Sequence, residues 1–103
     1  MKLPPIPRSV PGILGPIEVV RSKHIEYEGV VCNGLWESDT RTITISLGLS
    51  LAKAHHVLWH ERTHADLHES NSCIPDDLEE IVCEGIATAR VAEMLSSHPK
   101  ARR

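Results

Sequence analysis

Thr42-Ile43-Thr44-Ile45-Ser46-Leu47-Gly48-Leu49-Ser50 runs into Val57-Leu58-Trp59-His60-Glu61-Arg62-Thr63-His64, and the change of rhythm between the two decides the fold. From Thr40 to Ser46, polar and apolar residues alternate and β-branched types dominate, which predicts a strand with one buried face. Gly48 breaks that pattern, and Ser50 is a helix cap for a segment from about Leu51 to Glu69. Leu51, Ala54, Leu58 and Ala65 recur at helical spacing and predict its buried side.

Inside that helix, His60 and His64 stand four residues apart, so both imidazoles leave the same face about one turn apart. Neutral imidazole is a good zinc ligand, and two rings on one face converge on one ion. Glu61 follows the first histidine and lies beside such an ion rather than on it, placed to accept a proton from water that the ion acidifies. The pattern predicts two metal ligands and one general base.

A catalytic zinc site takes a third protein ligand and leaves one position open. His68 continues the stripe, but at 1.5 Å rise per residue it lies about 12 Å along the axis from His60 and cannot share its ion. His56 is excluded by the same spacing as a partner of His64, and His55 and His56 are expected to face solvent. The third ligand is therefore expected from a second helix. Asp76 is a cap with Glu79 three residues later, a capping-box pattern. Leu78, Ile81, Val82, Gly85, Ile86 and Ala89 then mark an apolar side, and the helix should stop before Pro99. Glu80 is the favoured ligand and Glu84 the acceptor for a ligand histidine's free N–H, with the reverse assignment as the alternative. Cys83, set among apolar positions, reads as a small buried side chain, and Cys73 as a loop residue outside the site.

Five of the seven prolines fall in residues 1–16, which predicts an extended arm or a strap across the domain. Ile17–Val20 and Val30–Leu35 are short strand candidates, with Glu28-Gly29 as a turn. Residues 17–98 are read as the domain and 99–103, ending Lys100-Ala101-Arg102-Arg103, as a solvated basic tail.

At 103 residues, the chain holds one domain. Trp36, Trp59 and Tyr27 are its only aromatics, so the core must be aliphatic. The net charge of −3 is spread over both signs and supplies no basic face for nucleic acid. No long apolar run predicts a membrane span or a leader. Three cysteines without CxxC spacing argue against a disulfide framework and favour a reduced, cytoplasmic setting.

The stretch from Thr40 to Leu95 resembles minimal zincin domains of the ImmA/IrrE type, including short metallopeptidase-like proteins of bacteriophages and bacteria. The likeness rests on Arg41-Thr42-Ile43-Thr44-Ile45, Val57-Leu58-Trp59, the HExxH string, and Leu78-Glu79-Glu80-Ile81-Val82. It departs from the usual pattern at Arg62, commonly aliphatic, and Thr63, often glycine. The resemblance implies a gluzincin-like site of two histidines and a downstream glutamate. It also implies hydrolysis of a peptide or protein substrate, with the strand Thr42–Ser46 as the edge that binds it. The expected fold is α/β (α+β), a small, mostly antiparallel sheet packed on two helices. Tyr27, His24 and Arg90 are all open as the oxyanion-stabilising donor. A zinc-stabilised binding module without turnover, with or without a protein partner, and a metal-free phage structural protein are the competing readings.

Overall fold

A computed structural model describes residues 3–96. In chain order the elements are β1 (Ser9–Val10), β2 (Ile17–Ser22), β3 (Glu26–Tyr27), β4 (Val30–Val31), β5 (Gly34–Glu37), β6 (Thr42–Ser46), α1 (Leu51–Glu69) and α2 (Asp76–Ser96). Four strands form one sheet in the order β1-β2-β6-β5, and β3-β4 is a separate hairpin. The fold is therefore a small mixed α+β domain. Two of the three pairings in the main sheet are antiparallel, while the central pair, β2 with β6, is parallel. Strand β6 lies between β2 and β5 and is not an edge; the edges are β1 and β5.

Alternation along β6 buries Ile43 and Ile45 completely and turns Thr42, Thr44 and Ser46 the other way. Ile17 and Val19 of β2 join them, and α1 lays Ala54, Val57, Leu58 and Ala65 across the same face. Burying each isoleucine contributes roughly 1.5–3 kcal/mol. Leu51, expected on that face, is exposed at the first residue of α1. Ser50 caps α1 as expected, its hydroxyl accepting from the Lys53 amide at 3.2 Å.

Local chain features shift two boundaries and fix one turn. Arg41 adopts a left-handed φ of 50°, so the strand expected from Thr40 starts at Thr42. The candidate Val30–Leu35 is divided, with Val30–Val31 in the hairpin and Gly34 onward in the sheet. Glu28 and Gly29 have φ of 51° and 80°, the left-handed pair that closes a two-residue β-hairpin.

The proline-rich segment is a strap. Its β1 pairs with β2 and Val10 enters the core, so the folded unit begins before Ile17. Upstream, the Pro4 carbonyl accepts from His55 Nε2 at 2.6 Å. That contact buries His55 and corrects its expected solvent exposure. The expected stop before Pro99 and the basic tail lie outside the described residues. Among the described residues, no helix is long and apolar enough to cross a membrane.

Arg41 ties three parts of the chain together. Its Nη1 and Nη2 donate to the carbonyls of Pro16 and Gly15 at 2.7 and 3.0 Å, and Nη2 also reaches Glu69 Oε1 at 2.7 Å. The fork is completed by Nε on Glu69 Oε2. This hydrogen bonding holds the Glu69 carboxyl below its ordinary value of 4.5. A depressed carboxylate adds stability above its unfolded pKa and loses it as pH falls through the folded one. Glu69→Gln should therefore melt below wild type at neutral pH. The gap should close in acid as pH falls below about 4.5; a gap independent of pH would show that the ion pair is not its source.

Candidate metal centre

Helix α1 presents His56, His60 and His64 along one face, and α2 lies against it. The packing of α2 differs from the expectation. Cys83, Ala87 and Val91 are the residues it buries, while Leu78, Ile81, Val82 and Ile86 are exposed. The apolar stripe thus points away from α1. Glu80 and Glu84 still reach α1, because they flank that stripe on the side nearest Cys83 and Ala87.

The carboxylates and imidazoles interlock. Glu80 spans the two expected ligands, with Oε2 at 3.3 Å from His60 Nε2 and Oε1 at 2.7 Å from His64 Nε2. Among the described residues, one atom from each of His60, His64 and Glu80 can be chosen so that all lie within 4.8 Å of one another. The second nitrogen of each ring is also held. His60 Nδ1 meets Glu84 Oε1 at 2.8 Å, and His64 Nδ1 meets Glu79 Oε2 at 2.6 Å. Glu84 uses its other oxygen on His56 Nε2, also at 2.8 Å.

Glu79 therefore serves His64 rather than a capping box. Its amide already bonds the Pro75 carbonyl, so α2 starts a residue earlier than a cap at Asp76 requires. His56 is half-buried and paired, not turned to open solvent. Its role was hidden because the helical rise excludes it only as a ligand. Glu84 lying opposite a His56–His60 pair at four-residue spacing was the signal.

Carboxylates accept hydrogen bonds and donate none. Rings that face carboxylates at both nitrogens must carry two protons, or have a cation in place of one. His64 titrates above its ordinary value: burial pulls it down, but the Glu79 hydrogen bond and the charges of Glu61 and Glu80 outweigh that. Glu84 is lowered, its partial burial outweighed by the bonds from His56 and His60. Two imidazoles and a carboxylate converging on one point, with further carboxylates on the Nδ1 atoms, is a donor set that fits zinc. A second cluster, His64, Glu79 and Cys83, shares His64 with the first. Burial, then the surrounding glutamates, push the Cys83 thiol up to about 12.

Glu61 lies in the same cleft, of about 430 Å³, whose walls are β5, Tyr27, His60, His64, His68 and Glu80. Burial raises its carboxyl against the opposing pull of His64 and His60. Gly34 makes this placement fit: a Cβ there would overlap Val57 Cγ1 and come within 3.3 Å of Glu61 Cγ. His68 stands edge-on to Trp36 at 6.4 Å and contributes to no ligand cluster among the described residues. Of the three open oxyanion donors, Tyr27 lines the cleft, His24 is paired with Glu26, and Arg90 stacks on Trp59 with Arg62. Thr63 is buried and bonds the Trp59 carbonyl, and Cys73 is exposed outside the cleft.

The chain matches no protein-family model, no curated protein and no solved structure.

Zinc affinity, measured by chelator competition, should collapse in His60→Ala, His64→Ala and Glu80→Gln. In Glu84→Gln it should fall only about 10–100-fold; a larger loss at Glu84 than at Glu80 would exchange their roles. Gly34→Ala should destabilise the fold by about 1–3 kcal/mol in denaturant melts, since β5 must move off α1.

Proposed function

We propose that the protein is a zinc-dependent peptide hydrolase of the minimal zincin kind that its sequence resembles. One observation carries this reading: the Glu61 carboxylate shares a cleft with the His60, His64 and Glu80 donors, beside an open sheet edge. His60, His64 and Glu80 would hold the ion. When bound, zinc acidifies water towards neutrality and polarises a carbonyl oxygen.

The chain's own residues supply the rest. Glu61 takes the proton from the attacking water and returns it to the leaving amine. Glu79 and Glu84 accept at the Nδ1 atoms, which fixes both rings with Nε2 towards the cleft. Strand β5, with Gly34, Leu35 and Trp36 on the cleft wall, offers an edge for an extended peptide to join by β-augmentation. That task moves to β5 from Thr42–Ser46, whose backbone is already paired on both sides. Tyr27 at the cleft wall is the donor best placed to meet a developing oxyanion. Specificity in so small a cleft is expected to come from a partner protein or from the substrate's own fold.

A zinc-clamped binding module is the second reading, favoured by the way the candidate ligands bridge α1 and α2. Glu61→Gln separates the two. The variant should retain about one zinc per chain and lose hydrolysis of a peptide library by about 10²–10⁴-fold. Equal cleavage by wild type and variant would overturn the enzyme reading, and zinc retention without cleavage by either would leave the module.

A further inference from the structure

One ring of the α1–α2 seam belongs to two donor sets. His64 groups with His60 and Glu80, and it groups as closely with Glu79 and Cys83, one atom of each lying within 4.8 Å of the others. Its two nitrogens divide the work: Nε2 faces Glu80 at 2.7 Å and Nδ1 faces Glu79 at 2.6 Å. His60 also meets a carboxylate at each nitrogen, Glu80 and Glu84. Among the described residues, however, Glu84 belongs to no donor group of this kind. Cys83 makes the difference, because its sulfur supplies the third donor on the Glu79 side.

Cys83 is completely buried, while the side chains of His64 and Glu79 keep 19% and 25% of their exposure. The set is therefore closed at its sulfur end and open to solvent at the other. The charges of Glu61, Glu79, Glu80 and Glu84 all bear on Cys83, a field that draws cations inward.

We propose that His64, Glu79 and Cys83 form a second metal site, an alternative to the centre of His60, His64 and Glu80, and that it takes a soft thiophilic cation. A neutral imidazole has one proton and one lone pair, so His64 serves one ion at a time. With the proton on Nε2, the Nδ1 lone pair joins the Glu79 carboxylate and the Cys83 sulfur. The incoming ion forms a metal–sulfur bond as the S–H bond breaks; the proton leaves to solvent and no electron is transferred. Thiolate favours softer ions than the nitrogen and oxygen donors of the outer centre do. Filling the inner set withdraws His64 and leaves His60 and Glu80 alone outside, too few donors to hold zinc firmly. The inner set stands on its own donors, whether or not the outer centre hydrolyses anything.

Cadmium is the probe, because a thiolate bonded to Cd2+ adds an ultraviolet charge-transfer band that imidazole and carboxylate ligands do not. One equivalent added to the reduced, metal-free chain should raise that band. On the zinc-loaded chain, the band should grow as about one zinc per chain is released. Cys83→Ala should lose the band with its far-UV circular dichroism and zinc binding unchanged. Glu79→Gln, which leaves the buried sulfur in place, should raise the cadmium concentration needed for the band by about 10-fold or more. Glu80→Gln should keep the band while losing zinc, which separates this site from the outer one. Changing Cys32 and Cys73 together to Ser should leave the band intact. Absence of the band in wild type, or its survival in Cys83→Ala, would overturn the site. Growth of the band with all zinc retained would overturn the competition for His64.

Discussion

Where α1 and α2 meet, imidazole rings occupy space that aliphatic side chains fill in most helix pairs. Only Cys83, Ala87 and Val91 of α2 are buried; beside them, His56, His60 and His64 meet Glu79, Glu80 and Glu84, and Arg90 stacks on Trp59. Such a seam holds only if the positive charge between the carboxylates is supplied, by protons on the rings or by a metal ion. Docking of α2 and occupancy of the centre are then one equilibrium seen from two sides. The shallow apolar contact under α2 makes that coupling strong, since little else fixes the helix in place.

Position on the sheet side is set by contact rather than charge. Gly34 lets β5 approach α1 closely enough for Glu61 to lie against the strand. At the far end of α1, Arg41 joins the turn before β6, the strap and Glu69. The helix that carries the histidines is thus fixed at its end by an ion pair and along its length by the isoleucines of β2 and β6. The donors on α1 rest on a rigid base, whereas those on α2 depend on the seam.

Features with local causes were legible in the sequence. Gly48 and Ser50 bound α1, alternation marks β6, and four-residue spacing pairs His60 with His64. Glu80 and Glu84 were legible as the carboxylates facing that pair, although the face of α2 that buries itself was not. Periodicity weights large apolar residues, and here Leu78 and Ile81 lie outside while Cys83 and Ala87 lie inside. Long-range causes were silent. His55 is buried because Pro4 crosses it fifty-one positions away in sequence. Strand β6 is central because the distant β2 pairs with it in parallel, a contact no local pattern encodes. Glu79 satisfied a capping rule so well that its reach to His64 was concealed.

The division of the centre between helices gives its assembly an order in time. During synthesis the histidines of α1 are added to the chain before Glu79, Glu80 and Glu84. A chain made only as far as the Asn71–Pro75 loop carries the two imidazoles and the Glu61 carboxylate but none of the glutamates of α2. Two such ligands would hold zinc weakly, so on the proposed reading the ion would be captured only when α2 folds back onto α1. Helix α2 thus acts as a latch: until it closes, the nascent polypeptide presents neither the three donors together nor the cleft they line.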